Sequence, residues 1–182
     1  MNMNEYDDDL RRLELADSTE IVSNSSTDHA RALIARLIGS AKERVVVFSG
    51  SLNPKIYCDT AVVDAIGAFL LGRNGHLEIV VQRDSTCVPD RQIVSDVGCL
   101  VDRLRAAYGE SVLARVTIAR ASPIDSVHHK VHFMVVDSKG FRLEPDNTAH
   151  RAFASFNQPQ FASQLYTAFL SIIKRSSPIA LS

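Results

Sequence analysis

The amino-acid sequence predicts an α/β fold, a mixed β-sheet flanked by helices on both faces. Three observations carry this expectation. Short aliphatic runs, above all 44–48 and 76–82, are too short for helices and stop at turn-forming residues. Longer segments between them repeat their apolar residues at helical spacing. Residues 127–136, a tight turn at Ser138-Lys139-Gly140 and residues 141–144 form a hairpin signal, which adds antiparallel pairing.

The elements follow in order. A chain of 182 residues, 46% hydrophobic and 23% charged, fits one core and is short for two domains. Residues 1–23, with Asp7, Asp8 and Asp9, are expected as a polar solvated arm, and 24–182 as a single domain. A Ser/Thr/Asp-rich loop at 24–28 leads into a helix over 30–41 that buries Leu33, Ile34, Leu37 and Ile38. Residues 44–48 make a buried strand that ends at Ser49-Gly50-Ser51. A helix over 60–71 buries Val62, Val63, Ile66, Phe69 and Leu70 and stops at Gly72, before a strand at 76–82. Ile93, Val94, Val97, Leu100, Val101 and Leu104 mark a third helix, ended near Tyr108-Gly109, and a strand follows at about 112–119. After the hairpin, 145–148 open a loop, 152–156 form a strand, and a helix over 161–174 buries Leu165, Phe169, Ile172 and Ile173.

Composition excludes some functions. A net charge of -1 argues against the broad positive field of a protein that grips nucleic acid through phosphates alone, and leaves room for a local basic site. Cys58, Cys87 and Cys99 are odd in number and widely spaced, which predicts reduced, structural thiols and no cysteine-based zinc site. The acidic start lacks the pattern of a signal peptide, and no apolar run reaches membrane-spanning length. A cytoplasmic protein without a membrane partner is expected.

The chemistry concentrates between Val127 and Asn157. His128, His129, Lys130 and His132 open an apolar segment. On a strand, His128, Lys130 and His132 share one face, a face suited to phosphate, and His129 points to the other. Lys130 places a cation between the histidines, which disfavours a metal site, and no cofactor is implied. Arg142 and Glu144 share one face of the hairpin, where a cross-strand ion pair or a phosphate-binding arginine are the two readings. Gly50-Ser51-Leu52-Asn53 reads as a turn after a strand, in position to border a ligand pocket.

His128-His129-Lys130, Asp137 and Ala154-Ser155-Phe156-Asn157 resemble the phospholipase D-like superfamily, whose pattern is His-x-Lys, a downstream Asp and a later Gly-Ser-x-Asn. The resemblance spans about residues 27–176 and is closest to small bacterial endonucleases that carry one motif per subunit and dimerise. The chain departs from the pattern in three places. Six residues rather than four separate Lys130 from Asp137, Ala154 replaces glycine, and the link from Asp137 to Ser155 is long. Counting back from Asp137 at the family spacing puts Lys130 in the histidine position and His132 in the lysine position.

What the resemblance implies is a metal-free phosphodiesterase working through a phosphohistidine. A second histidine from a twofold mate protonates the leaving oxygen, so a homodimer is expected. His128 is the favoured nucleophile and His132 the alternative. Lys130, Ser155 and Asn157 hold the phosphate oxygens, with Arg142 as a further phosphate ligand and Asp137 and Glu144 in support. Nucleic acid or a nucleotide phosphate is the expected ligand. The competing readings are a catalytically silent phosphate-binding module and a partner-binding dimerisation domain.

Overall fold

The computed structural model describes residues 2–24, 26–72, 74–82, 90–128, 131–146 and 151–181, without the side chains of residues 90, 91, 126–128 and 146. Within that range the expected mixed sheet is present. Eight strands run in the order β1-β7-β6-β5-β2-β3-β4-β8. β2 (Arg44–Ser49), β3 (His76–Val81) and β4 (Val116–Arg120) are parallel. β5 (His132–Val136), β6 (Gly140–Asp146), β7 (Arg151–Ser155) and β1 (Val22–Asn24) extend the sheet antiparallel from β2. β8 (Ser177–Pro178) closes the other edge against β4.

Strand β2 reads as a continuous apolar run because both its faces are covered. Val45 and Val47 join Leu77, Ile79, Ile118, Met134 and Val136 in a core under α1 (Met3–Leu15), α2 (Thr27–Gly39), α3 (Pro54–Tyr57), α4 (Thr60–Leu71) and α5 (Asp90–Tyr108). Val46 and Phe48 join Val80, Phe133 and Val135 on the opposite face under α7 (Pro159–Ile173), which supplies Ala162, Phe169 and Ile172. Ser26 caps α2 by accepting from the His29 amide at 3.1 Å, and Asp59 caps α4 from the Ala61 amide at 3.0 Å.

Several elements differ from the sequence expectation. The first residues are not a solvated arm: 3–15 form α1, started by a reciprocal capping box between Asn2 and Glu5. Tyr6, Leu10 and Leu13 make a buried stripe. Full burial of the two leucines stabilises the docked helix by roughly 3–6 kcal/mol. Arg36 of α2 adds ion pairs to Asp7 at 2.9 Å and Glu14 at 3.2 Å. The strand expected at 112–119 starts at Val116, because Gly109, at φ 81°, turns the chain into a 3-10 segment, Glu110–Arg115, that buries Val112 and Leu113. Residues 127 and 128 do not begin the hairpin either. They end a short helix, α6 (Pro123–His128), which Ser122 and Pro123 start and which the Asp125 carboxylate fastens to Arg175 at 2.5 Å.

Cys58 and Cys99 are joined in a disulfide, with Cα atoms 6.3 Å apart, linking the end of α3 to α5. This corrects the expectation of reduced thiols for that pair; Cys87 lies outside the described residues. No helix among the described residues is long and apolar enough to cross a membrane.

Candidate functional site

The hairpin β5–β6 assembles the candidate site. Strand alternation puts His132, the first residue of β5, on the face of Met134 and Val136, beneath the helices α1–α5. Glu144 stands directly opposite His132 in the antiparallel register, and Arg142 lies two residues back on the same face. The cross-strand partner of Arg142 on β7 is Ala154, whose small side chain leaves room for the guanidinium to reach toward β1.

A chain of polar contacts results. Arg142 Nε donates to Asn24 Oδ1 at 3.3 Å, and its two terminal nitrogens donate to Glu144 Oε2 at 3.3 and 3.4 Å. The same Oε2 is 3.7 Å from His132 Nδ1. All three side chains are withdrawn from water: Arg142 is 7% exposed, Glu144 13% and His132 17%. Burial pushes the Glu144 carboxyl up, but the neighbouring His132 imidazole and the charge of Arg142 outweigh it and hold the group below its ordinary value. Glu144 is therefore an anion at neutral pH, with its Oε2 on the Nδ1 side of the His132 ring.

His132 Nε2 is buried and has no hydrogen-bond partner among the described residues. It faces Gly50, just beyond the end of β2. A Cβ added there would stand 2.8 Å from Nε2 and 3.2 Å from Cε1, so glycine is what lets the imidazole occupy this position. Tyr57 of α3 and Tyr6 of α1 lie within the field of Arg142. Burial pushes both phenols up to about 12, against the lowering effect of the Arg142 charge. Both are neutral donors at physiological pH.

The expected site residues thus divide. His132, Arg142 and Glu144 are brought together. His128 ends α6 instead of sharing a strand with His132, and its side chain is outside the described residues, as are His129 and Lys130. The strand-face argument accordingly does not hold for His128, which lies in α6; for Lys130 it falls outside the described residues.

Ser155, Asn157 and Asp137 sit at the other end of the hairpin. Ser155 pairs with Phe141, three residues before Glu144, a displacement of roughly 10 Å along the strand. Its Oγ donates to the Ser18 carbonyl at 3.2 Å, while Asn157 Nδ2 donates to the Asp17 carbonyl at 3.2 Å. The pair fastens the segment between α1 and β1. Asp137, left-handed at φ 51°, accepts from the backbone amides of Lys42, Glu43 and Arg44 at 3.0, 2.9 and 3.0 Å. It ties the hairpin turn to the start of β2.

Of the Gly50–Asn53 turn, Gly50 is the residue at the site. Asn53 caps α3 from the Lys55 amide at 3.0 Å, and the Ser51 carbonyl accepts from Ser49 Oγ at 2.7 Å. Sequence reasoning missed Asn24, Tyr6 and Tyr57. The i, i+4, i+7 stripe of Tyr6, Leu10 and Leu13 was the available signal for Tyr6; nothing in the sequence pairs Asn24 with Arg142.

This mixed sheet, with its helices on two faces and its strand order, defines a phospholipase D-like fold. Solved structures with the same architecture include the phospholipase D family member Nuc from Salmonella typhimurium, at 15% identity and a TM-score of 0.59 over 88% of this chain and 99% of that one. Phosphatidylserine synthase from Haemophilus influenzae matches at 12% identity and a TM-score of 0.60, over 88% of this chain and 39% of that one. The archaeal chromatin protein TrmBL2, described with a novel mode of DNA binding, matches at 8% identity and a TM-score of 0.56, over 97% of this chain and 62% of that one. No curated protein matches the sequence. The chain belongs to the family described as a domain of unknown function, DUF7931, whose model matches residues 26–180.

Proposed function

We propose that this chain is a divergent phospholipase D-like phosphodiesterase that acts on nucleic acid, with His132 as its nucleophile. The observation that carries the reading is the His132 imidazole itself, flanked on its Nδ1 side by an ionised Glu144 and unpartnered at a buried Nε2. A histidine fixed in one tautomer presents its Nε2 lone pair to an electrophile. Nε2 forms the bond to phosphorus as the bond to the leaving oxygen breaks, and that oxygen takes a proton from the second histidine, supplied by a twofold mate. Water then attacks phosphorus, the P–N bond breaks, and the water's proton returns to the second histidine. Arg142 supplies positive charge behind Glu144, and Lys130 is retained as a phosphate ligand on the sequence resemblance alone. The DNA binding described for TrmBL2 supports nucleic acid as a substrate class.

A second reading is a silent module that binds the phosphodiester without cleaving it. It is favoured by the engagement of Ser155 and Asn157 with Ser18 and Asp17, which takes the family's oxyanion donors away from His132. Metal-free cleavage of bis-p-nitrophenyl phosphate and of labelled single-stranded and duplex DNA, with EDTA present, decides between them. Under the first reading His132→Ala abolishes turnover, Glu144→Gln lowers it by about 10²-fold or more, and His128→Ala does not remove it. Turnover that survives His132→Ala refutes the assignment. DNA binding without turnover in folded wild type, lost in His132→Ala, supports the silent module.

A further inference from the structure

A second polar cleft lies at the opposite end of the parallel strands. Its volume is about 620 Å³, within the range of small-molecule sites, and it is lined by Glu43, Arg44, His76, Glu78, Thr117 and Tyr166 among others. Arg44, His76 and Arg115 stand at or next to the first residues of β2, β3 and β4, whereas His132 is level with the ends of those strands. The two locations are therefore separated by the length of a six-residue strand, roughly 17–20 Å. The cleft exists because α7, on this face, covers β2 and leaves Glu78 and Thr117 open beside it.

Among the described residues, Arg44, Glu43 and Glu78 are charged groups of this cleft without a side-chain hydrogen bond or ion pair. The Arg44 guanidinium lies 3.8 Å over the centre of the Tyr166 ring, a stacking that does not consume its in-plane donors. Arg44 Nε is buried without a hydrogen-bond partner, and among the described residues its side chain has no ion pair. The backbone of Arg44 is fixed by the bond from its amide to Asp137 at 3.0 Å, so the side chain has a rigid root. Glu78, facing the same space, likewise has no hydrogen bond or ion pair among the described residues, and the carboxylate of Glu43 stands at the rim. Arg115, by contrast, is already committed to the carbonyls of Leu70 and Gly72. One clamped cation beside two carboxylates, none of whose side chains has a hydrogen bond or ion pair among the described residues, complements a ligand that carries both signs.

We infer that this cleft binds a small zwitterion, with its oxyanion held by the fork of Arg44 and its ammonium group by Glu78. The site is independent of the phosphodiesterase reading.

The test titrates the full chain with phosphoethanolamine and with β-alanine, observing the Arg44 Nε–H resonance by ¹H–¹⁵N NMR. Inorganic phosphate and ethanolamine serve as half-ligands. Saturable shifts with a Kd below about 1 mM are expected for at least one zwitterion, about tenfold tighter than for either half-ligand. Arg44→Gln, followed through the backbone amide resonances of Glu78 and Thr117 instead, weakens zwitterion binding at least tenfold. Glu78→Gln weakens the zwitterion to the level of phosphate while leaving phosphate binding unchanged. His132→Ala leaves all of these titrations unaltered. Folding of each variant is checked by far-UV circular dichroism. Absence of a saturable shift at roughly ten times 1 mM overturns the inference, as does zwitterion binding that is equal in wild type and Glu78→Gln.

Discussion

Replacing Asp137 tests whether this residue of the family pattern serves the scaffold. Its carboxylate accepts three backbone amides, from Lys42, Glu43 and Arg44, and its own backbone is left-handed at φ 51°. In Asp137→Ala the exposed amides of Lys42 and Glu43 recover water, so each lost bond costs about 0.5–1 kcal/mol, or about 1.5–3 together. Alanine in the left-handed region adds roughly 1–2 kcal/mol, giving a total of about 2.5–5. Asp137→Gly removes that strain but adds roughly 0.5–1 kcal/mol of chain entropy, so it falls slightly below alanine in cost. Asp137→Asn keeps one acceptor and tolerates the backbone, and should lose only about 1 kcal/mol. The chain has no tryptophan, so urea unfolding is followed by far-UV circular dichroism. A loss under about 1 kcal/mol for alanine, or equal losses for alanine and asparagine, refutes the clamp. Asp137 follows the end of β5, five residues after His132, so under the proposed nucleic-acid function the variants, where fully folded, should bind DNA as the unsubstituted chain does.

Three further outcomes follow from the geometry. Reducing the Cys58–Cys99 disulfide, which closes a loop of 41 residues, should lower stability by up to about 4 kcal/mol in urea titrations; an unchanged midpoint with and without reductant would show that the crosslink does not constrain the chain. Glu144 is depressed below its ordinary 4.5, so the unfolded chain takes up the proton first. Its contribution is present above that value and fades as pH falls through the folded pKa, and Glu144→Gln should flatten the acid limb of the stability profile. Gly50→Ala drives a methyl group against Nε2 and Cε1 of His132, so the His132 Cε1–H resonance should move and stability fall by about 1–3 kcal/mol; an unmoved resonance contradicts the packing.

The parallel half of the fold was legible because its periodicities are unambiguous. The helix at 60–71 and the strand start at Arg44 were read as they occur. Elements were missed where competing signals diluted the pattern. Three consecutive aspartates masked the stripe of α1, although Asn2 with Glu5 is a capping box. At α6, the Ser122-Pro123 start signal was overridden by the apolar and basic run after it. The site was half legible. Alternation alone put Arg142 and Glu144 on one face, but the partner of Glu144 is set by the hairpin register, which brings in His132. The diversion of Ser155 and Asn157 depends on where residues 17 and 18 fold, a contact 137 to 140 positions away in sequence. No local pattern reports a contact of that range.

The hooks from Ser155 and Asn157 also set a timetable for synthesis. Asp17 leaves the ribosome long before Asn157, 140 residues later, and at about 5–20 residues per second the interval is roughly 7–28 s. Through that time β1 has no neighbour, because its pairing partner β7 has yet to emerge. α1 can already rest on α2, which shields Leu10 and Leu13 while the edge waits. The segment after α1 is thus joined to the sheet only once β7 is made, and a nascent chain stalled before residue 151 carries an open sheet edge that a chaperone or another strand can occupy.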